Sequence, residues 1–262
     1  MQNFQSRAGR GNSIGLLDFF LTAVVVFSFT AAAPGRAADR FEVATIFLEL
    51  NDTDGDLGIQ ALVDGEAWRS LMIEDPNGRE ILAVSAKGRL ARQGLTEVFF
   101  ESDEPSFDEL SPEEFLQRFP EGRYEFEGVM LDGSELESTA RLTHVLPAPP
   151  ANILISGQMA APNCDAEVLP VVSGDVIITW DQVTTSHPTI GRSAPIKIDG
   201  YQVVVEREEP TLLVFSVDLP ASVTQMTVPP EFITLGTEFK FEVLVREAGG
   251  NQTVVESCFK TE

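Results

Sequence analysis

The last third of the chain is a succession of short runs in which apolar and polar residues alternate, with turn residues between the runs. Seven such runs follow position 147, at 153–155, 176–180, 201–205, 211–217, 223–228, 237–246 and 252–259. A period of two places one face of each run in a core and the other in solvent, as in a half-buried β-strand. Seven short strands within about 110 residues predict a β-sandwich.

Proline marks the start of this segment. Residues 147–150 are Pro-Ala-Pro-Pro. Because proline restricts the backbone and removes amide donors, we expect an extended, semi-rigid linker there rather than a strand or helix. The sequence therefore predicts a first, acidic domain over 39–146, a linker at 147–150 and a second domain over 151–262.

The second domain resembles the fibronectin type III family over nearly its whole length. Trp180, in the run Val-Ile-Ile-Thr-Trp, stands where that family places its core tryptophan, and the segment 200–203 (Gly-Tyr-Gln-Val) resembles its third strand. The segment 233–239 resembles the family's tyrosine corner, but Leu235 replaces the usual proline and Phe239 replaces the tyrosine. The resemblance implies a fibronectin type III-like sandwich that lacks the tyrosine's hydrogen bond. It also implies an adhesive module, a receptor ectodomain or a spacer, without naming a partner.

Cys164 and Cys258 are the only cysteines of the chain. In an oxidising compartment, an even pair within one domain predicts a disulfide, which here would tie the early part of the second domain to its last strand. Two buried free thiols, or a metal pair that lacks its other ligands, are the alternatives.

The first domain is also predicted to be rich in β-strands. Alternating runs at 41–50, 58–63, 67–74 and 79–85 are separated by turn residues, among them the pair at 64–65. We interpret this domain as an immunoglobulin-like sandwich. The chain as a whole is therefore predicted to be all-β, with two β-sandwich domains in tandem.

The end of the first domain adds a helix and a hairpin to this pattern. Ser111 is followed by Pro112 and two glutamates, a combination that caps a helix, suits its first position and complements its dipole. One short helix is therefore expected, ending near Pro120. The runs 122–131 and 135–145 predict a hairpin across an Asp-Gly turn.

Residues 1–38 have the pattern of a signal peptide. Arg7 and Arg10 precede an apolar run at 19–33, which ends in three alanines. The run is shorter than the ~20 residues of a membrane-spanning helix, so a cleaved leader is favoured over an uncleaved anchor. The protein is accordingly expected to be secreted or periplasmic, with no membrane insertion after cleavage.

Charge limits the possible partners. The chain has 41 acidic and 18 basic side chains, a formal charge of −23. Residues 1–38 hold three arginines and one aspartate, so the formal charge of residues 39–262 is −25. Such a field repels phosphate backbones and anionic lipids, and direct nucleic-acid binding is disfavoured. A soluble extracellular protein, a cation-binding protein and a protein of a saline habitat are all compatible with it.

Asp52, Asp54 and Asp56 alternate in a loop and form the first candidate site, for a metal ion. With Asp52 in position one of an EF-hand, Leu57 stands where glycine is needed and Val63 where a bidentate glutamate belongs, which excludes an EF-hand. A looser Ca²⁺ site and a solvated turn are the two remaining interpretations, and the turn is favoured. No other cofactor is expected.

The acidic stretch 101–109, continued by Glu113 and Glu114, is the second candidate. Paired carboxylates hydrolyse glycosidic bonds only across a cleft that perturbs one pKa, and neighbours on a charged loop do not provide a cleft. A solvated surface is favoured. The functional alternative is docking of a basic partner, which added salt would weaken.

The long connection between the second and third strands of the fibronectin-like domain is the third candidate. Such loops on a rigid sandwich often bind partners, so we interpret residues 185–195 as a binding loop with Thr185, His187 and Arg192 as its candidate residues. An irregular loop without function is as compatible. His187 and His144 have no matching nucleophile or ligand spacing, so neither a hydrolase triad nor a zinc site is expected.

The sequence thus predicts a secreted or periplasmic, non-catalytic β-sandwich protein that binds an extracellular protein or glycan. The alternative is a structural spacer of an envelope or extracellular assembly, with or without stabilisation by Ca²⁺. An enzyme with an unrecognised acidic cleft ranks third.

Overall fold

The computed structural model describes residues 39–262, and it confirms the all-β class. Fifteen strands and two short helices make up this part of the chain. The predicted signal peptide at 1–38 lies outside the described residues.

Six strands and both helices belong to the part of the chain before the proline segment. In chain order they are β1 (Val43–Asn51), β2 (Asp56–Glu74), β3 (Glu80–Ser85), α1 (Leu90–Gln93), β4 (Leu95–Glu101), α2 (Pro112–Arg118), β5 (Gly122–Met130) and β6 (Glu135–Leu142).

The long strand β2 is bent and has different neighbours along its two parts, all within one sheet. Its first part pairs with β1 and β4, and its second part pairs with β5 and β3. The predicted turn at 64–65 is wrong, because the strand continues there through shifts of register between Asp64 and Trp68. Such irregularities bend a strand without ending it. Trp68 is fully buried, which holds the second part of β2 against the same core.

The predicted helix is α2, and its start follows the expected chemistry. The Ser111 hydroxyl accepts a hydrogen bond from the Glu114 amide, while Phe115 and Leu116 are buried. Helix α1 and strand β4 were not predicted. In β4, Phe99 is exposed and Phe100 is half-buried, so adjacent aromatic residues obscure the alternation that marks a strand.

Nine strands follow the proline segment. They are β7 (Leu154–Ile155), β8 (Gln158–Met159), β9 (Val171–Val172), β10 (Ile177–Thr179), β11 (Ile198–Arg207), β12 (Leu213–Pro220), β13 (Gln225–Thr227), β14 (Glu238–Glu247) and β15 (Gln252–Thr261).

The second half is the predicted fibronectin type III-like sandwich. The strand order β12-β11-β14-β15 forms one layer and β13-β10-β7-β8 the other. Between them, Trp180 is buried and its ring lies 5.3 Å from that of Tyr201. The Tyr201 hydroxyl accepts a hydrogen bond from the Val183 amide at 2.9 Å, which ties the long connection to the core.

The corner that lacks a tyrosine is closed by the last strand instead. Phe239 is fully buried and stacks on Phe259, with ring centres 5.3 Å apart. The Thr261 hydroxyl donates to the Thr234 carbonyl oxygen at 2.7 Å, and the Gly236 amide donates to the Thr261 carbonyl oxygen at 3.1 Å. These bonds stabilise the corner without the missing phenol.

The two halves share one sheet. Strand β1 pairs in parallel with β15, so that an eleven-stranded sheet crosses from the first half to the second. The hydrophobic cores nevertheless stay separate: the buried residues of one run from Phe41 to Leu146, and those of the other from Ile153 to Phe259. The division into two domains at 147–150 stays a prediction. The structure shows in addition that β1 of the first half pairs with β15 of the second.

Candidate functional site

The contacts between the two halves, which we call the joint, centre on Asn251 in the turn between β14 and β15. This side chain is buried. Its Oδ1 accepts from the Leu48 amide at 2.9 Å, and its Nδ2 donates to the carbonyl oxygens of Thr143 at 2.8 Å and Val145 at 3.0 Å. One amide thus satisfies backbone groups of β1 and of the chain after β6, all of which would otherwise lack partners.

The proline segment lies against the second half. The Thr253 hydroxyl donates to the Pro147 carbonyl oxygen at 2.8 Å, and the Ala148 amide donates to the carbonyl oxygen of Thr185 at 2.9 Å. The segment is therefore anchored at two points, in addition to the restriction that proline imposes. Thr185, one of the predicted binding residues, serves here through its backbone.

His187 joins the predicted binding loop to the predicted metal loop. Its ring is buried, its Nδ1 accepts from the Ile190 amide at 2.8 Å, and its Nε2 lies 3.1 Å from Asp52 Oδ1. Because Nδ1 is an acceptor, we assign the proton to Nε2, which donates to the carboxylate. Two residues predicted for different sites are thus partners of each other.

Arg192 completes these contacts at the surface. Its Nη2 lies 3.0 Å from Glu121 Oε1, and its amide donates to the His144 carbonyl oxygen at 2.7 Å. The preceding Gly191 has φ +75°, and a Cβ there would collide with the same carbonyl oxygen. Thr185, His187 and Arg192 therefore all take part in contacts within the chain. Binding of a partner by this loop stays a prediction.

The aspartates of the predicted metal loop point in different directions. Asn51 Oδ1 accepts from the amides of Thr53 and Asp54 at 3.0 and 3.1 Å, which forms the turn. Asp52 turns to His187, Asp54 accepts from the Asn51 amide group at 3.2 Å, and one carboxylate oxygen of Asp56 is buried without a hydrogen-bond partner. Within residues 39–262, no three His, Cys, Asp or Glu side chains are placed to hold a metal ion. Calcium binding stays a prediction.

The largest cluster of carboxylates with perturbed pKa values lies on the outer side of the shared sheet. There, on the sheet face turned away from the two cores, the adjacent strands β14, β15, β1, β2 and β4 each carry a carboxylate, of which Glu256 on β15 is buried. Together with a sixth from the following segment, they form what we call the acidic face: Glu242, Glu256, Glu49, Asp56, Glu101 and Glu104.

Lys240 is the cation at the β14 side of the acidic face. Its Nζ lies 2.7 Å from Glu256 Oε2 and 3.3 Å from Glu242 Oε1. Burial alone would lower the pKa of Lys240, but the bonds to both glutamates raise it well above its usual value. For Glu242 burial dominates and raises the pKa in spite of the lysine. The lysine is therefore fully engaged by carboxylates that face each other across the strands.

A segment at 102–110, which we call the strap, covers the β2 side of the acidic face. The Ser102 amide donates to the Ile59 carbonyl oxygen at 3.0 Å, and the Phe107 amide donates to that of Gly55 at 2.8 Å. Between these bonds the Glu104 side chain lies directly on Gly58, where any Cβ would collide with it. The absence of a side chain at 58 thus makes room for a carboxyl group.

Burial under the strap perturbs two carboxyl groups. The pKa of Glu104 is raised to about 7, first by burial and then by the charges of Glu49, Glu101, Asp56 and Asp103. Burial, with Asp54 and Glu256, raises the pKa of Asp56 to about 6. Glu104 Oε1 and Asp56 Oδ1 are buried without hydrogen-bond partners. Both groups hold their protons to a higher pH than usual, because ionisation would place a charge at a buried position among other carboxylates.

Sequence reasoning found part of this face and missed the rest. Glu101 and Glu104 belong to the predicted acidic stretch, whereas Glu49, Glu242 and Glu256 were not singled out. Their outward positions follow from the alternation of their strands, but their proximity depends on the β1–β15 pairing, which spans about 200 residues of chain and leaves no local signal.

The predicted disulfide between Cys164 and Cys258 is confirmed, with the sulfurs 2.04 Å apart. Cys258 lies opposite Lys240 in the β14–β15 ladder. The disulfide borders a cavity of about 500 Å³ whose other lining residues include Glu208, Glu238 and Lys240. The cavity adjoins the acidic face, because Lys240 and Glu256 both line it.

Among residues 39–262, no helix has the length and apolar character to span a membrane. No protein-family model and no curated protein matches the chain. Among solved structures, the chain is similar to a segment of two fibronectin type III domains from chicken tenascin, at 12% identity and a TM-score of 0.27, over 83% of this chain and 99% of that one. At a TM-score this low, the match carries no argument about this chain. The strand order of the second half independently identifies it as fibronectin type III-like.

Proposed function

We propose that this protein is a non-catalytic interaction module of the extracellular or periplasmic space, and that its acidic face binds the basic surface of a protein partner. The observation behind the proposal is the acidic face, in which five carboxylates on adjacent strands and a sixth from the strap lie together, with a lysine that two of them already engage. Like charges opposite each other destabilise a sheet. A positively charged partner would relieve that repulsion, which provides a driving force for binding.

The charge of the face favours a basic protein over the other partner classes. Nucleic acids and anionic lipids would be repelled, and a neutral glycan would leave the carboxylates uncompensated. Charge complementarity accelerates encounter and selects partners more than it raises affinity. We therefore expect fast association that weakens with salt.

A short polylysine peptide is a suitable probe, titrated into the protein by calorimetry. We expect saturable binding at low salt that weakens at least several-fold toward roughly 0.15 M, where the Debye length is about 8 Å. The double variant Glu49→Gln, Glu101→Gln should bind more weakly than the native protein.

The matched control is Glu66→Gln, Glu231→Gln, which removes two exposed carboxylates that are not among the six of the acidic face. It lowers the overall charge equally, so it should retain most of the binding. Equal losses in both double variants would mean that net charge, not the acidic face, attracts the probe, and the proposal would be wrong. A natural partner can then be sought in an extracellular fraction by elution with salt.

A rigid structural spacer is the second candidate, and the joint is the observation that favours it. Asn251, the anchored prolines and the β1–β15 pairing connect the two halves by buried hydrogen bonds. We expect a single cooperative transition in scanning calorimetry, and two separate transitions would contradict a rigid spacer.

Stabilisation of the spacer by Ca²⁺ would appear as a higher melting temperature in millimolar Ca²⁺ than in chelator. The double variant Asp54→Asn, Asp56→Asn should lose that difference in melting temperature.

A further inference from the structure

Within residues 39–262, strand β12 is one edge of the shared sheet. It lies at one end of the strand order, and within residues 39–262 its only ladder partner is β11. At the other side of the same layer, by contrast, β15 is paired with β1 and β9. An edge strand exposes unpaired backbone donors and acceptors to which another strand can bind.

Four large apolar side chains are exposed where β12 begins. Leu212, Leu213 and Val214 follow one another along the chain and are 60%, 43% and 52% exposed. Leu235 is 71% exposed. The preceding residue, Thr234, accepts a hydrogen bond from Arg207. Arg207 lies opposite Leu213 in the β11–β12 ladder, so Leu235 is near the start of β12. Single exposed apolar residues are common on protein surfaces, but a contiguous group marks an interaction site.

The same edge is almost free of charge. Between positions 210 and 230 the only charged residue is Asp218, and its Oδ1 lies 3.7 Å from Arg246 Nη1. Native edge strands usually carry lysine, inward charges or proline as protection against pairing. In β12 the sole proline is its last residue, Pro220. Strand β12 itself is thus apolar and carries a single charge in a chain with a formal charge of −23, although Glu206 lies opposite Val214 in the ladder and Glu208 and Glu209 precede the strand.

We propose that β12 pairs with β12 of a second copy of this chain, antiparallel and around a two-fold axis, to give a dimer with one sheet continuous across both copies. Two copies repel each other wherever their acidic surfaces meet, so a strand that carries a single charge is the place where they can approach. A two-fold contact of a strand with itself is necessarily antiparallel. The apolar group around Leu212 and Leu235 of each copy is covered by the contact.

The proposed dimer does not depend on the proposed function, and the effect of salt distinguishes the two contacts. Screening weakens repulsion between two acidic copies, so dimerisation strengthens as salt rises. Binding of a basic partner to the acidic face weakens under the same change. The two contacts therefore respond to salt in opposite directions.

Sedimentation velocity over a concentration series, at about 0.05 M and about 0.5 M NaCl, tests the dimer. The native protein should show a monomer–dimer equilibrium with the tighter dissociation constant at high salt. Val214→Lys places a charge in the edge and should weaken the dimer by at least about tenfold. Leu212→Glu, at a neighbouring exposed position, should have the same effect.

Val171→Lys is the matched control, since it is the same substitution at a valine that is 45% exposed on β9. Melting temperatures of all three variants establish that they are folded. A protein that stays monomeric at high concentration and high salt would overturn the proposal. So would a dimer that Val214→Lys and Leu212→Glu leave intact, or a hydrodynamic dimer that weakens as salt rises.

Discussion

The joint and the acidic face contain similar polar groups, lie on the same strands and differ in how those groups are satisfied. At the joint, Asn251 bonds to backbone groups that would otherwise lack partners. On the acidic face, Glu104 and Asp56 each keep a buried oxygen without a partner, and their pKa values rise to about 7 and about 6. Buried polar groups stabilise a protein when they are paired and destabilise it when they are not. The joint therefore stabilises the fold, whereas the unpaired carboxyl groups of the acidic face are available to a partner.

The largest effect is expected at the centre of the joint. Asn251→Ala leaves the Leu48 amide and the carbonyl oxygens of Thr143 and Val145 without this partner, and each buried unsatisfied group costs about 1–3 kcal/mol. We expect the free energy of unfolding to fall by about 3 kcal/mol or more in urea titrations.

Asn163→Ala provides the comparison, because that side chain accepts one hydrogen bond from the Asp165 amide within an exposed turn. Its cost should stay within about 1 kcal/mol. Equal losses for the two substitutions would remove the distinction between the joint and an ordinary turn.

A substitution under the strap is expected to have an intermediate effect and to raise, rather than lower, the free energy of unfolding. The pKa of Glu104 is raised above its ordinary 4.5 in the folded protein, so the folded state binds more protons than the unfolded state between pH 4.5 and about 7. Stability contributed by this group is therefore lost as pH rises through that range. Glu104→Gln should be more stable than the native protein at about pH 8, by about 1 kcal/mol after allowance for screening by water, and similar to it at about pH 5.

Thermal melting across pH measures this difference, with Glu113→Gln as a control on the exposed start of α2. The control should not change the pH dependence. If Glu104→Gln is destabilising at pH 8, its carboxyl group has a partner under the strap, and the contrast with the joint fails.

The smallest effect is expected at the rim of the joint. The Arg192 side chain is 51% exposed, and its ion pair with Glu121 is accessible to water. Exposed pairs contribute about 0–1 kcal/mol, so Arg192→Ala should change the free energy of unfolding by no more than about 0.5 kcal/mol in urea titrations. Arg123→Ala, which removes an exposed pair with Glu125 within the first half, should behave alike. If Arg192→Ala alone lowered the free energy of unfolding by several kcal/mol, the stabilising contacts of the joint would include this surface ion pair.

The two loops singled out from the sequence illustrate why residue type alone is a poor guide to a site. Asp52 resembled a metal ligand and His187 a member of a binding loop, and the structure pairs them with each other. Each is typical of a functional loop when considered alone. Their contact joins positions 135 residues apart, so no local pattern could have revealed it.

By itself, the sequence determined the features that depend on local spacing and residue type. The alternation of the strands, the capped helix at Pro112 and the even cysteine pair each reflect short-range or single-residue chemistry, and the structure confirms all three. Only the tertiary structure decided that β15 pairs with β1, which creates the joint and brings the carboxylates of five strands onto one face. Sheet pairing between distant strands depends on backbone hydrogen bonds that every residue can form, so the side chains alone do not specify which strands will be neighbours.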